Sequence, residues 1–370
     1  MAEDLRRAHN WRRWGPYLAE RQWGTVREDY SATGECWSYF PHDHARSRVY
    51  RWGEDGLLGI CDRECRVCFA LALWNGQDPI LKERLFGLAG PEGNHGEDVK
   101  ELYYYLDATP TCSYLKALYK YPHAAYPYAE LVDGNRARGR GERELEIEDT
   151  GVFDRGYWDI AVEYAKAAPD DVLIRITVEN RGPAARLHVL PTAWLRNTWS
   201  WGRRGEGYDA RGRIARMTGQ PDDGGDRASV GIWQPTLGPF RLDAEGRPTL
   251  LFTENETNTL RLWGVASASR YTKDAFHRHV IDGDVAAVNP AEEGTKCAAW
   301  YTLDLPAGAT HVLRLRLCQD AQAAARPFDG FDAVVAARAR EAELYHRAAR
   351  DAEMTDDERR VVRQADAELV

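Results

Sequence analysis

Three stretches, Tyr157–Tyr164, Val172–Asn180 and Arg186–Leu195, alternate apolar with polar residues and are separated by the turn chemistry of Pro169-Asp170 and Gly182-Pro183. A period of two sends every second side chain to one face, so each reads as a strand with one buried side, and the three together as an antiparallel meander. Further strands are expected at Val67–Trp74, closed by the Asn75-Gly76 turn, around the consecutive Tyr103, Tyr104 and Tyr105, and at Ala228–Trp233, Thr249–Thr253 and Leu260–Ala266. Cys297–Leu305 and His311–Cys318, joined by Pro306-Ala307-Gly308-Ala309, read as a hairpin. Asn135–Arg143 reads as a solvated basic loop and Gly202–Gly225 as a long surface excursion. Beyond Pro327 the spacing becomes helical, and Thr355-Asp356-Asp357-Glu358 has the order of a capping box. The expected fold is mainly β: a large antiparallel β-sandwich over residues 1–325 with elaborated amino-terminal loops, then a helical linker over 326–370.

Charge and hydropathy narrow the classes of function. A formal net charge of -9 over 370 residues argues against nucleic-acid and anionic-membrane partners, which are met by clustered Lys and Arg. No apolar run has the roughly 18 residues a membrane span needs, and the opening MAEDLRRAHNWRRW lacks the apolar core of a secretory signal, so a cytoplasmic location is expected. Seven cysteines, an odd number without a regular framework, fit reduced thiols. Cys61, Cys65 and Cys68 have the C-x3-C-x2-C spacing of an iron–sulfur set, but Cys68 opens the apolar run CFALALW and reads as a sheet residue, so no cluster is expected.

The segment from Trp14 to Asp55 is unlike the rest. It interleaves Trp14, Trp23, Trp37 and Trp52 with Glu28, Asp29, Asp43, Glu54, Asp55, several arginines and two histidines, a mixture that cannot be mainly core. Aromatic faces beside fixed carboxylates and guanidinium forks suit a polyhydroxylated ligand. The competing reading is that the tryptophans cover a sheet edge while the charges pair in solvent. His42 and His44 would share one face of a strand, but no third ligand follows at a metal-binding spacing, and His95 lies in a glycine-rich loop without the EF-hand order. Neither a metal nor a cofactor is expected. Trp194, Trp199 and Trp201 are read as closing one end of the sandwich in preference to a second sugar platform.

WGPYLAERQWGTVREDYS, FPHDHARSRVYRWGEDG, LALWNGQDPILKERLFGL, EGNHGEDVKE, YYYLDATPT, LYKYPHAAYPYAELV, LPTAWLRNTWSWG, YTKDAFH and NPAEEGTKCAAWYTL resemble, in order, the amino-terminal region of bacterial proteins related to glycoside hydrolase family 63, the processing α-glucosidase and mannosylglycerate hydrolase relatives. The resemblance implies an inverting α-glucosidase-like enzyme whose acid and base reside in an (α/α)6 barrel carboxy-terminal to the β-domain. It therefore implies that this chain holds no catalytic residue, braces that barrel as a partner domain and shapes access for an oligosaccharide or small glycoside. Trp23, Arg27, Asp29, Trp37, His42, Asp43, Arg46, Trp52, Glu54 and Asp55 become candidates for substrate or interdomain contact. Two alternatives stay open: a stand-alone carbohydrate-binding module, and a self-sufficient glycosidase using carboxylates of the 28–55 segment.

Overall fold

The computed structural model describes residues 2–6, 8–19, 23, 39–50, 55–88, 98–139, 141–218, 226–348 and 354–369. In chain order its strands are β1 (Trp14–Tyr17), β2 (Leu57–Asp62), β3 (Val67–Trp74), β4 (Gly87–Leu88), β5 (Asp98–Val99), β6 (Leu102–Ala108), β7 (Tyr114–Pro122), β8 (Tyr157–Ala168) and β9 (Asp171–Asn180). They continue as β10 (Ala185–Leu195), β11 (Arg213–Arg216), β12 (Arg227–Gln234), β13 (Gly238–Glu245), β14 (Thr249–Thr253), β15 (Glu293–Gly294), β16 (Lys296–Leu305) and β17 (Thr310–Gln319). A six-stranded sheet has the order β1-β2-β3-β10-β16-β14 and a nine-stranded sheet the order β15-β11-β12-β13-β17-β9-β8-β7-β6, while β4 and β5 form a short ribbon. The molecule is mainly β, as the alternation requires.

The core lies between the two large sheets. Phe69, Leu71 and Leu73 of β3 join Ile160, Val162 and Tyr164 of β8 and Ile174 and Ile176 of β9 in one buried cluster, with the Phe69 and Tyr164 ring centroids 6.3 Å apart. Tyr164 completes the join by donating its hydroxyl proton to the Leu58 carbonyl at 2.6 Å. Trp14 is fully buried in this core, edge-on to Phe240 at 5.5 Å, which corrects the expectation that the opening tryptophans are surface or ligand groups. β1 pairs with β2 and so carries the Trp14 side chain inward.

Four local expectations are overturned. β8 and β9 do pair, but β10 leaves the meander for the other sheet, between β3 and β16, where Leu187 to Leu195 are buried on both faces. The pair joined by Pro306–Ala309 is not a hairpin: β16 pairs with β10 and β14, and β17 with β13 and β9, so the connection crosses from one sheet to the other. Gly308 takes φ +70 at this corner, and Asn180 Nδ2 donates to the Leu305 and Pro306 carbonyls, satisfying groups that a ladder would otherwise pair. Leu260–Ala266 is not a strand, because Thr259–Trp263 is helical, started by Asn258 Oδ1 accepting the Arg261 N–H and ended by Gly264 at φ +70. The loop assigned to Asn135–Arg143 begins inside the helix Tyr128–Arg136, where buried Asn135 bonds the Leu131 and Leu145 carbonyls.

The carboxy-terminal reading fits. Helices span Phe331–Ala348 and Asp356–Leu369, and at the second Thr355 Oγ1 accepts the Glu358 N–H while the Glu358 carboxylate accepts the Thr355 N–H, the reciprocal bonds of a capping box. Phe331, Val335 and Ala342 pack on Tyr114, Ala165 and Leu173 of the nine-stranded sheet.

Candidate functional site

The outer face of the six-stranded sheet is built from the residues that alternate with the core. Ala70 and Ala72 of β3, Thr192 and Trp194 of β10 and Lys296 of β16 project there, while Phe69, Leu71, Ala193 and Cys297 face inward. Lys296 is the cross-strand neighbour of Trp194 on one side and of Thr253 on the other. A lysine in this apolar strand has no solvent to reach and must find its counter-charge in what covers the sheet.

It finds Glu83. Lys296 Nζ donates to Glu83 Oε2 at 2.7 Å and to the Lys273 carbonyl at 3.2 Å. Glu83 and Arg84 come from the loop after β3, Lys273 from the loop before the helix Ala275–Val280, and Asp55 from the end of the opening segment. These residues, with Ala70, Leu71, Ala72, Thr192, Trp194 and Asn255, line one pocket, and each of them is less than one-tenth exposed. The cavity they leave is small, about 20 Å³, room for about one water.

The electrostatics follow from burial and neighbours. Burial alone would raise the Glu83 carboxyl, but Lys296 and Arg84 outweigh it and hold it below the usual range. Burial lowers Arg84, and Asp55 and Glu83 more than restore it. Lys273 is pushed down to about 7, first by burial and then by the Arg84 charge. Its Nζ donates to the Arg48 carbonyl at 3.0 Å and lies 4.6 Å from the Tyr50 ring centre, and Tyr50 in turn donates its hydroxyl proton to Asp55.

Of the ten candidate contact residues, Arg27, Asp29, Trp37, Trp52 and Glu54 lie outside the described residues, as does His95. Asp55 lines the pocket. Trp23 is 2% exposed, packs with Phe40, Ala45 and Tyr50, and donates its indole N–H to the Leu85 carbonyl, so it holds the segment down and offers no open ring face. His42 and His44 do not share a strand face, because His42–Ala45 is a helical turn, and the His42 ring packs among Trp23, Phe86 and Tyr128. Both Asp43 carboxylate oxygens accept from Arg261 Nη2, at 2.7 and 2.9 Å, and Asp43 makes a second contact with Arg46 at 2.8 Å. Arg46 Nη1 also lies 2.9 Å from His277 Nε2. His42, Asp43 and Arg46 thus clamp the opening segment onto its neighbours, and Asp43 does not share the partners of Asp55.

Sequence reasoning missed Glu83, Arg84, Thr192, Trp194, Asn255, Lys273 and Lys296 as site residues. The available signal was charge inside apolar, β-compatible surroundings, as in ILKERLF and EGTKCAAW. Trp194 belongs to this outer face, with Leu18, Cys61, Cys68 and Ala70, and not to the core between the sheets; Trp199 packs against that core and Trp201 stacks on Tyr208. The Cys61 and Cys65 sulfurs are 3.6 Å apart as free thiols.

No family model matches the chain. It is 40% identical over 404 aligned positions to the uncharacterized protein YMR196W of Saccharomyces cerevisiae (strain ATCC 204508 / S288c), an alignment covering 99% of this chain and 37% of that protein. The chain therefore spans little more than a third of the curated relative it matches. Among solved structures, polysaccharide lyase BACCELL_00875 aligns with 68% of this chain and 25% of its own at 10% identity and a TM-score of 0.30, a likeness too slight to carry an argument about either fold or activity.

Proposed function

We propose that this chain is the non-catalytic amino-terminal β-domain of a glycoside hydrolase resembling family 63, with residues 1–325 as the sandwich and 326–370 as a helical linker. In this reading it braces a catalytic (α/α)6 domain and forms one wall of the path taken by an oligosaccharide or small glycoside. The observation that carries it is convergence: Asp55, Glu83 with Arg84, Thr192 with Trp194, Lys273 and Lys296 come from five separate segments that bear the resemblance, and all line one pocket. Core packing alone has no use for five charged side chains gathered on the outside of a sheet.

The same geometry disfavours a self-sufficient glycosidase. Such an enzyme needs one carboxyl kept protonated as general acid and a second as base or nucleophile across the scissile bond. Glu83 is instead held ionised by Lys296 and Arg84. Free thiols at the six described cysteines are consistent with a reducing compartment, and we assign the protein to the cytoplasm. Among the described residues no helix is long and apolar enough to cross a membrane.

The test pairs hydrolysis of a chromogenic α-glucoside by the isolated chain with calorimetry against α-linked oligosaccharides. The expected result is no turnover and at most weak binding. Turnover by the chain alone overturns the reading, and tight binding without turnover replaces it with a stand-alone binding module.

A further inference from the structure

Three thiols meet where β2 turns into β3. Cys61 and Cys68 are cross-strand neighbours, both buried, and Cys65 lies in the turn between them, half-buried against the same cluster with Leu18, Ala70 and Trp194. The turn is fixed by Asp62, whose Oδ1 accepts from the Arg66 and Val67 N–H groups at 2.7 and 2.8 Å and whose Oδ2 accepts from that of Glu64 at 2.9 Å. The Cys65 N–H bonds the Asp62 carbonyl at 2.8 Å. Cys65 takes φ +53, the left-handed region that glycine, and less often asparagine or aspartate, normally occupies. In that conformation its sulfur stands 3.6 Å from that of Cys61, within a thiol–thiol hydrogen bond. Packing has no need of a cysteine at a half-buried left-handed turn position, and a strained residue held by so fixed a frame points to use.

We propose that Cys61 and Cys65 form a reversible dithiol–disulfide couple whose oxidant is a small hydroperoxide. A disulfide brings its sulfurs to about 2.05 Å, a closure that rotation of the two side chains supplies while the hairpin stays paired. Cys65 is the sulfur that solvent reaches, since Cys61 is 6% exposed and Cys68 fully buried. Its thiolate attacks the outer oxygen of the hydroperoxide, the O–O bond breaks, and the alkoxide leaves as an alcohol after taking up a proton, so Cys65 becomes a sulfenic acid. The Cys61 sulfur then attacks that of Cys65, the S–O bond breaks, and hydroxide leaves as water with the Cys61 proton. Two thiols and one hydroperoxide become one disulfide, one alcohol and one water, and the two electrons lost by sulfur are those gained by the peroxide bond. The Cys61 thiol is held well above its ordinary range: the bond from Cys65 lowers it, but Cys68 and burial outweigh that, so it keeps its proton until the second step. Cys68 donates to the Cys65 carbonyl at 3.5 Å. A dithiol reductant restores both thiols by exchange. This couple is independent of the carbohydrate reading.

Trypsin separates the three thiols, because cleavage after Arg51, Arg63, Arg66 and Lys82 places Cys61 in residues 52–63, Cys65 in 64–66 and Cys68 in 67–82. The full chain, reduced and freed of reductant, would be treated with stoichiometric hydrogen peroxide, alkylated with N-ethylmaleimide, digested and analysed by mass spectrometry. The expected predominant disulfide joins 52–63 to 64–66, with the loss of two hydrogens, and dithiothreitol releases both peptides as thiols. In Cys65→Asn, which suits the left-handed turn, Cys61 is expected to stay a thiol under the same treatment. No joined peptide, Cys65 paired with another cysteine, Cys65 carried on to sulfinic acid beside an unchanged Cys61, or Cys61 oxidised equally in Cys65→Asn would each overturn the proposal. Should Cys65→Asn fail to fold, the peptide map of the unaltered chain decides alone.

Discussion

Lys296 Nζ and Glu83 Oε2 meet at 2.7 Å although 213 positions separate them in the chain. Their bond ties the outer face of the sheet to the loop that covers it, and neither side chain is more than 7% exposed. Removing one partner leaves the other charged and buried, which costs about 3–5 kcal/mol, whereas removing both does not leave that lone charge. Glu83→Gln and Lys296→Met are each expected to lower urea stability by about that amount, and the double variant to lose clearly less than their sum. Additive losses would show that the two are not coupled.

Two buried lysines set a pH dependence on the alkaline side. Burial lowers Lys166 to about 8, its ammonium donating to the Trp11 and Trp14 carbonyls at 2.6 Å and to that of Thr111 at 3.1 Å, and Lys273 lies at about 7. Both fall below the value near 10.4 of an unfolded lysine, so between about pH 7 and 8.5 the unfolded chain binds more protons and stability rises with pH. Below that window both states are charged and the folded state bears the full burial penalty. The thiols of Cys112, Cys297 and Cys318, raised first by burial, reverse the trend above about pH 8.5, and the phenols of Tyr119, Tyr121, Tyr126 and Tyr164, raised in the same way, add to the fall above about pH 10. Urea midpoints measured across this range should climb and then fall, and a flat or falling profile from neutrality upward would contradict the assignment.

Asp43 is the carboxylate of the opening segment that most invites a catalytic role, and its geometry gives it another. Its side chain is 56% exposed and held by Arg261 and Arg46. Exposed pairs of this kind contribute about 1 kcal/mol or less. Asp43→Asn is expected to cost no more stability than that and, under the function proposed above, to leave kcat for an α-glucoside unchanged in an enzyme that carries this domain. Abolished turnover with an intact fold would return Asp43 to the active site.

One strand residue bonds to both carboxy-terminal helices. Asp107 of β6 accepts from His346 Nε2 at 2.8 Å and from Arg363, linking both helices to the nine-stranded sheet. Burial pushes the Asp107 carboxyl up, but the bonds from His346 and Arg363 outweigh it and hold it below its ordinary value. Its stabilisation is therefore present above the unfolded carboxyl value of about 3.9 and is lost as pH falls through the lower folded value. Asp107→Asn is expected to speed amide exchange in Asp356–Leu369 while the central strands stay protected. Equal acceleration in β8 and β9 would mean the anchor supports the whole fold.

Much of the architecture was legible because it is written in local periodicity. The alternation in β8, β9 and β10 and the capping box at Thr355 depend on neighbours within a few residues, and they appear where expected. Leu260–Ala266 reads as a strand because its seven residues, five of them apolar, fit a strand as well as a helical turn until the Asn258 cap and Gly264 are weighed. Asp55 alone of the described candidates lines the pocket, since clustering along the chain favours residues that pair with each other, as Asp43 and Arg46 do.

By itself the sequence determined that strands would form and where helices would take over, because backbone geometry and side-chain alternation act over short range. Only the tertiary structure decided which sheet each strand entered, sending β16 and β17 to opposite layers across a four-residue connection. It alone brought Asp55, Glu83, Arg84, Lys273 and Lys296 together. Those charges attract one another only after folding has removed the water between them, and no spacing along the chain records that distance.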